Sequence, residues 1–554
     1  MGAPAPVAVA DCEKLGQSLG NGLPARMPPV RPVTAFVALA LGAAGVFRLC
    51  QPGLNGFPWA VFQGEAERLR AEVASSIAVR TAQAATLAPK LRVGQARVPV
   101  SAAVDMVPRS EPVMAHVESA IPLTIPLLSV DRETPIYAAP SKQARKVGYV
   151  SLGGRLGTAP ESLKGSGCTG GWHGVSPFGY VCVDERVSSN PKHPVTELAT
   201  RAPARIESLP YSYARAKRGG VPLYTRIPSA DERASQEGAG TRGLERSWRD
   251  TDVEDLPSSL ALGRPTPTLH GYARPAGTLF AERTLAKSSF AIARVFEVQG
   301  QRFGMTPDLL LLPLDQLTRV TPPRFRGVRI LRDQALPVAF VKSRVAYLYR
   351  LDEVAGSLTL ARKLEFRDGF VALRERRFIA GHEYVRSAEG LFARVDQLRL
   401  IEGSPAAAPW LRREKRFIDV SLKDQALVAY EDGHAVFATL ISSGLESDKL
   451  DAPSRATVTG QFRIHTKHVT AKMSGDDVGD EYALPDVPYV QYFHGSFALH
   501  AAYWHDAFGT PLSHGCINLS PEDARFLFGW TEPPVPPGWH GAMDPAGTMI
   551  SIHE

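Results

Sequence analysis

The chain has 554 residues, which is long enough for three or four domains that each bury a core of their own. Its composition, 44% hydrophobic and 21% charged, is ordinary for a folded protein and excludes an intrinsically disordered chain. Five cysteines are too few for a disulfide-rich scaffold, whereas 45 prolines and 48 glycines favour β-structure with many turns.

The net charge of +7 is unevenly distributed along the chain. Residues 1–411 carry an excess of 15 positive charges, and residues 412–554 carry an excess of 8 negative charges. The positive charge of residues 1–411, called the basic N-terminal part below, indicates contact with an anionic surface, such as wall polymers or phospholipid headgroups. Nucleic acid is not expected as a partner, because no basic helix, RNA-binding signature or zinc-finger spacing accompanies the charge.

Residues 1–50 are predicted to be a signal peptide or a membrane anchor. Val33 to Phe47 carries no charge and follows Arg26 and Arg31, a length typical of a signal core and short for a membrane span. A start at Met27 would give this segment the usual position. Cleavage and retention in the inner membrane both stay open, and a buried helix of a soluble domain is the alternative. The expected location is the periplasm or cell envelope, with membrane contact if the segment is not cleaved.

Residues 51–120 are interpreted as a spacer, and residues 121–195 as a small β-barrel. Short strand-like runs such as Lys146 to Val150 and Gly179 to Val183 are separated by glycine-rich turns. With Trp172-His173-Gly174-Val175 among them, this region resembles a bacterial SH3-like module. Similar runs predict a second module over residues 205–325 and a third over residues 335–402. One larger β-domain is the alternative for this middle region.

Cys168 and Cys182 form the one close cysteine pair in the sequence. Their spacing favours a disulfide that spans a hairpin in an oxidising compartment, although a pair of reduced core thiols stays open. Cys516 would then remain unpaired, as a nucleophile must.

Residues 412–554 are predicted to form a domain rich in strands. Glu431-Asp432-Gly433 lies between two apolar runs and predicts a hairpin. Pro521 to Phe528 is predicted to be helical, with Ser520 as its N-cap.

A cysteine near the C-terminus has the neighbours that thiol acyl transfer needs, in Ser513-His514-Gly515-Cys516 with His500 upstream. A thiol is a good nucleophile as thiolate, so it needs a basic neighbour. Glycine lets the backbone approach a substrate carbonyl closely, and N–H groups at such a turn can point at an oxyanion.

The stretch from Phe493-His494-Gly495 through His500-Ala501-Ala502-Tyr503-Trp504 to Ser513-His514-Gly515-Cys516 resembles the L,D-transpeptidases (YkuD domain) of bacterial cell walls. The resemblance covers about residues 412–554. It implies a mainly β fold, in which SH3-like β-barrels and an N-terminal signal or anchor precede a C-terminal β-sandwich.

The resemblance also implies a role for each matching residue. Cys516 would be the nucleophile and His500 the general base and acid, with the carbonyl of Ala501 orienting the imidazole. His514 and Gly515 would offer backbone N–H groups to an oxyanion hole. The residues expected to bind substrate are His494, Tyr492, Tyr489 and Trp504, and His494 is also the competing candidate for the base.

A zinc site is the alternative chemistry for a region that holds His494, His500, His505, His514 and Cys516. No His-x-x-x-His or Cys-x-x-Cys pair occurs among them, so neither a metal nor another cofactor is expected.

The expected reaction begins when Cys516 attacks the third residue of a peptidoglycan tetrapeptide stem. D-Alanine leaves and a thioester forms. The acceptor stays open: a stem amine would give a 3→3 cross-link, and a lysine of a wall protein would give attachment. Water would make the enzyme an L,D-carboxypeptidase, and a wall-binding protein without catalysis is a further alternative.

Overall fold

The structure, a computed structural model, describes residues 125–554 except 200–202, 239–245, 270–276, 287, 446–454 and 476–481. The predicted signal or anchor and the spacer therefore lie outside the described residues. The described residues belong to one compact unit. No helix within them is long and apolar enough to cross a membrane.

The first region is built of short strands that form two small sheets around one apolar core. Their hydrogen-bonded orders are β4-β1-β7 and β3-β2-β6-β5. The elements are β1 Ile125–Ser129, β2 Glu133–Tyr137, β3 Lys146–Ser151, β4 Arg155–Thr158, β5 Trp172–Gly174, β6 Tyr180–Cys182, β7 Val187–Ser188 and the short helix α1 Pro194–Leu198. A disulfide joins Cys168 to Cys182 beside β6, with Cα atoms 5.7 Å apart.

The second region also has two sheets, in the orders β10-β9-β14-β13-β12 and β11-β8-β15. Its elements are β8 Ser212–Ala216, β9 Pro222–Tyr224, α2 Ala230–Glu237, α3 Ser258–Ala261, β10 Phe280–Arg283, β11 Ser289–Ile292, β12 Arg294–Val298, β13 Gln301–Met305, β14 Leu311–Pro313 and β15 Leu317–Arg319. Helix α2 begins with a capping box, in which Ser229 and Glu232 each accept a hydrogen bond from the other's backbone N–H.

The third region is one seven-stranded sheet in the order β19-β18-β22-β21-β20-β17-β23. Its strands follow the two-residue strand β16 Val328–Arg329 and are β17 Val338–Val341, β18 Ala346–Asp352, β19 Ser357–Leu364, β20 Gly369–Ile379, β21 His382–Ser387, β22 Phe392–Arg394 and β23 Leu398–Ile401. Short 3-10 turns occur at Arg246–Trp248, Leu314–Gln316, Val395–Gln397 and Pro405–Ala407.

The C-terminal region places its apolar core between two sheets and one helix. Its elements are β24 Arg416–Ser421, β25 Ala426–Glu431, β26 His434–Leu440, β27 Gly460–Arg463, β28 Thr466–Gly475, β29 Tyr482–His494, β30 Phe497–Ala501, β31 Ile517–Leu519, α4 Pro521–Trp530, β32 Gly541–Met543 and β33 Met549–His553. One sheet has the order β16-β26-β25-β24-β33-β27, and the other includes β31-β30-β29-β28-β32. Alternating apolar residues of both sheets meet in the core, so the prediction of a mainly β protein is confirmed.

The sheet that carries β31 continues into the first region, because β32 pairs with β3. We call the contact between β3 and β32 the seam. Two glycines allow a close approach there: a Cβ on Gly148 would meet the Trp539 ring, and a Cβ on Gly541 would meet the Tyr149 ring. The resulting nine-stranded sheet joins strands within residues 133–182 to strands within residues 466–543. The first region is therefore a structural extension of the C-terminal sheet.

Candidate active site

The position of Cys516 is set by the parallel pairing of β30 with β31. His500 pairs with Asn518, and Leu499 pairs with Ile517. The same register continued by one residue places Cys516 beside Ala498. Since side chains alternate along a strand and paired residues share a face, Cys516, Ala498 and His500 lie on one face of the sheet.

The helix that follows β31 fixes this strand from its other end. Ser520 caps α4 by accepting a hydrogen bond from the Asp523 N–H at 3.2 Å, and Pro521 occupies the first helical turn. The buried Asp523 carboxylate accepts hydrogen bonds from Thr439 Oγ1 at 2.6 Å and from the Gly327 N–H at 2.8 Å. The cysteine loop is thus held between two anchored elements.

His500 is buried and held in one tautomer. Its Nδ1 lies 3.2 Å from the carbonyl oxygen of Ala501, and because a carbonyl can only accept, Nδ1 carries the proton. The lone pair is therefore on Nε2. The Trp504 ring lies 5.8 Å from the imidazole. Burial lowers the pKa of His500 to about 4; the bond to Ala501 opposes this shift and His505 adds to it.

Cys516 is half-buried, and it is the one free cysteine among the residues that the structure describes. Its thiol donates to the carbonyl of Ser496, with Sγ and O 3.6 Å apart. Burial raises the pKa of the Cys516 thiol to about 11, opposed by a hydrogen bond from the Ala498 backbone. At neutral pH the pair is therefore a neutral thiol and a neutral imidazole, rather than an ion pair.

The loop before Cys516 is shaped by hydroxyl groups. Ser513 Oγ accepts from the Gly515 N–H at 3.1 Å and donates to the Cys516 carbonyl, while Thr457 Oγ1 donates to the Gly515 carbonyl at 2.8 Å. Gly515 has a φ of +121°, and a Cβ there would lie 2.8 Å from the Phe497 ring, so glycine is required. The sequence does not indicate this role of Thr457, because no short-range pattern links it to a residue 58 positions away.

The Gly515 N–H differs from its predicted role. Because it donates to Ser513 Oγ, it is not directed at a substrate oxygen. His514 is exposed, with its ring 5.3 Å from Tyr482, and its backbone N–H keeps the predicted role as a proposal.

Two of the four predicted substrate-binding residues lie on the side of Cys516. Tyr492 pairs with Ala498, directly across from the cysteine, and burial together with the nearby Cys516 raises the pKa of its phenol. Trp504 packs with Tyr492 and Cys516 against the same apolar cluster.

The other two lie elsewhere. His494 pairs with Phe497 beyond a bulge, so it faces away from Cys516, and its ring lies 4.9 Å from Phe462. Tyr489 has a φ of +55°, is fully buried and donates from its hydroxyl to the Glu207 carbonyl at 2.5 Å. Tyr489 therefore anchors the segment before β8, and its assignment to the substrate pocket is wrong.

His505 links the loop that follows β30 to β31. Its Nδ1 accepts from the Ala507 N–H at 3.1 Å, and its Nε2 lies 3.0 Å from the side-chain amide group of Asn518. This contact ties the loop after β30 to β31. The described part of the chain contains no cluster of three His, Cys, Asp or Glu side chains suited to a metal ion.

The C-terminal region is similar to known proteins. Residues 415–553 match the family model of the L,D-transpeptidase catalytic domain, YkuD, which confirms the resemblance of the cysteine motif over that quarter of the chain. The chain is 29% identical over 131 residues to "Putative L,D-transpeptidase YciB" of Bacillus subtilis (strain 168), covering 22% of this chain and 63% of that protein. It thus spans less than two thirds of this relative.

Two solved structures are similar to about a quarter of the chain. The crystal structure of a variant L,D-transpeptidase of Enterococcus faecium is 27% identical, covering 25% of this chain and 50% of that one, with a TM-score of 0.20. The NMR structure of the E. faecium catalytic domain is 26% identical, covering 26% of this chain and 99% of that one, also with a TM-score of 0.20.

Proposed function

We propose that this protein is an L,D-transpeptidase that acts on peptidoglycan stem peptides outside the cytoplasmic membrane, with Cys516 as its nucleophile. The observation that carries the proposal is the register of β30 and β31, which puts Cys516 and His500 on one face of the sheet. The match of residues 415–553 to a catalytic domain of that class supports it.

In the first half-reaction the thiol of Cys516 attacks the carbonyl that joins the third stem residue to D-alanine. His500 Nε2 takes the thiol proton as the C–S bond forms. The tetrahedral oxyanion then collapses and the C–N bond breaks. The imidazolium returns its proton to the leaving nitrogen, so D-alanine departs as an amine and the thioester remains.

In the second half-reaction an uncharged amine attacks the thioester carbonyl. His500 Nε2 takes a proton from the attacking nitrogen, the C–S bond breaks, and the departing sulfur recovers that proton. A stem amine as acceptor would give a 3→3 cross-link, and a lysine of a wall protein would give an attached protein.

The neutral resting state of Cys516 and His500 suits this order of reaction steps. A buried thiol with a raised pKa resists oxidation and stray alkylation until a substrate carbonyl lies within reach. The Nδ1–H to Ala501 bond stabilises the imidazolium as it forms, in the place that a carboxylate fills in many triads.

Product analysis tests the proposal. The full chain is incubated with a disaccharide-tetrapeptide beside Cys516→Ala and His500→Ala, and products are identified by mass spectrometry. A dimer that retains one D-alanine, absent with both variants, supports transpeptidation. Tripeptide as the sole product would identify a carboxypeptidase. If folded wild-type protein gives no product, the remaining interpretation is a non-catalytic wall-binding protein.

The basic N-terminal part is proposed to hold the enzyme on the anionic wall and so raise the local substrate concentration. Exposed arginines of the third region, including Arg374 and Arg377 of β20, are suited to this contact. Replacing both by glutamine should reduce co-sedimentation with purified sacculi and leave turnover of a soluble muropeptide unchanged. Unchanged sedimentation would contradict this role.

A further inference from the structure

The loop between β30 and β31 is covered by upstream parts of the chain. Residues 502–512, called the connecting loop below, follow the strand that carries His500 and lead into the cysteine loop at Ser513. Tyr503 and Phe508 of the connecting loop are each only 2% exposed. Loops usually run over the surface, so two large buried rings in one loop require other elements to pack on them.

The second region packs on the first half of the connecting loop. The ring centres of Tyr213, in β8, and Tyr503 are 4.3 Å apart, and those of Tyr503 and Trp504 are 5.0 Å apart. The Trp504 ring in turn lies 5.8 Å from the His500 imidazole. A continuous row of rings therefore runs from the second region to the residue assigned as the base.

The third region and the segment that precedes it pack on the later part of the connecting loop. Phe325 stacks on Phe508 with ring centres 5.4 Å apart, and the Phe508 ring lies 5.1 Å from the His505 ring. Arg399 of β23 donates from Nη1 to the Gly509 carbonyl at 2.9 Å. These contacts reach the histidine that links the connecting loop to β31.

An ion pair joins the third region to the middle of the connecting loop. Arg367 Nη1 lies 2.9 Å from the Asp506 carboxylate, and the Arg367 side chain is 13% exposed whereas that of Asp506 is 59% exposed. Arg367 has a φ of +67°, and its N–H donates to the carbonyl of the buried Val341 at 2.8 Å. Its guanidinium also lies over the Phe366 ring, 4.6 Å from the centre. The cation is therefore held in place before it meets Asp506, which favours the pair over one between two mobile side chains.

The C-terminal region fixes the end of the connecting loop by itself. The Gly509 N–H donates to the Ile441 carbonyl at 2.7 Å, and the Leu512 N–H donates to the Ser443 carbonyl at 2.9 Å. Most of the upstream contacts fall instead on residues 503–508, the half of the loop nearer the base. The placement of that half therefore depends on regions outside the C-terminal sheets.

We propose that Arg367 is a positioning residue for thioester formation: its ion pair with Asp506 fixes the connecting loop, on which the placement of the His500 imidazole depends. The inference rests on the proposed function and deepens it, because it makes the third region part of the catalytic apparatus. Reacting groups must be held to within about 0.5 Å of their productive geometry, so release of the loop should slow the reaction while every reacting group remains present. Burial, and to a smaller extent the nearby Arg367, lowers the pKa of His505 to about 4, so this imidazole is neutral.

Acylation of the full chain by a disaccharide-tetrapeptide tests the assignment. Arg367→Gln should lower the maximal rate of acylation roughly tenfold or more and leave the donor concentration for half-maximal rate unchanged, because the base is misplaced while donor binding is unaltered. Arg367→Lys keeps the charge and should recover most of the rate. Arg394→Gln is the matched control: it loses an ion pair with Asp396 within the third region, at 2.6 Å, and should acylate as wild type does.

Equal maximal rates for Arg367→Gln and Arg394→Gln would overturn the proposal, and so would an Arg367→Lys variant that recovers nothing. Asp506→Asn removes the same ion pair from the loop, at a more exposed position, and replaces Arg367→Gln if that variant does not fold by circular dichroism. It should show the same loss of maximal rate. A wild-type rate in Asp506→Asn would contradict the assignment.

Hydrogen exchange separates this inference from the proposed function. Amide exchange of the peptide that contains residues 502–512 should be faster in Arg367→Gln than in wild type and unchanged in Arg394→Gln, whether or not the protein acylates. If wild-type protein forms no thioester, the proposed function fails, and exchange alone decides whether Arg367 fixes the connecting loop. Unchanged exchange in Arg367→Gln would overturn the inference even if wild-type protein acylates.

Discussion

His500 lies in β30 and Cys516 immediately precedes β31, and both face the same side of one sheet because β30 and β31 run parallel with His500 opposite Asn518. The imidazole keeps its proton on Nδ1 through the Ala501 carbonyl, which leaves Nε2 as the base. The chemistry of the site follows from this relationship, and so do two of the predictions below.

Replacing His500 should abolish thioester formation, whereas replacing His494 should not. His500→Ala removes the group that accepts the thiol proton, and we expect acylation to slow by roughly a hundredfold or more. His494→Ala is the matched control, because that residue faces away from Cys516. The measurement is the rate of acyl-enzyme formation by mass spectrometry. A larger loss with His494→Ala would assign the base to His494.

Alkylation of Cys516 should be slow at neutral pH and should accelerate as the pH rises toward about 11. Burial raises the thiol pKa, so the thiolate that reacts is scarce at pH 7. The measurement is the rate of iodoacetamide labelling of the peptide that contains Cys516, followed from pH 6 to pH 10. A rate that is already maximal at pH 7 would show a thiolate–imidazolium pair instead.

Lys467 should make stability depend on pH. Its buried Nζ donates to the carbonyls of Phe528 and Thr531 at 2.7 Å, at the end of α4, and burial lowers its pKa to about 7. Since the folded pKa lies below the unfolded one, the unfolded chain binds more protons between about pH 7 and 10.5. The contribution of Lys467 to the free energy of unfolding should therefore rise with pH across that window.

Comparison with Lys467→Met by chemical denaturation measures this slope. The variant leaves helix-end carbonyls unsatisfied and should lose about 2–4 kcal/mol at pH 9. Lys423→Met at an exposed position is the control and should change little. A stability difference between Lys467→Met and wild type that is constant from pH 7 to pH 10 would contradict the assigned pKa.

Gly541 should be essential to the seam between the first region and the catalytic sheet. In Gly541→Ala the new Cβ would meet the Tyr149 ring and the Lys467 carbonyl, and we expect a loss of about 1–3 kcal/mol. The exposed Gly529→Ala, whose Cβ would meet no atom within 4 Å, should be neutral or stabilising. Equal melting temperatures for the two variants would argue against a tight seam.

Local patterns in the sequence indicate part of the candidate site. Cys516, His500 and the capped helix at Pro521 are encoded by neighbouring residues, and such short-range signals are visible in the sequence. The placement of Tyr492 follows from strand register, and the same register separates His494 from the cysteine. Register depends on a bulge between Tyr492 and His494 that alternation alone does not reveal.

Long-range contacts were not predictable. Tyr489 resembles its neighbours in the strand, yet its positive φ turns it toward the segment around Glu207. The hydrogen bond between Tyr149 and His468, at 2.9 Å, links residues 319 positions apart, and nothing in either segment indicates the other. Contacts of this kind join the first region to the C-terminal sheet, and the division of residues 121–402 into SH3-like modules stays a prediction.

The most direct test of the account is the intact mass of the full chain after brief exposure to a disaccharide-tetrapeptide. The account predicts an adduct equal to the donor minus D-alanine, located on the peptide that contains Cys516 and absent in Cys516→Ala. A folded wild-type protein that gains no mass, or an adduct that persists in Cys516→Ala, would contradict it.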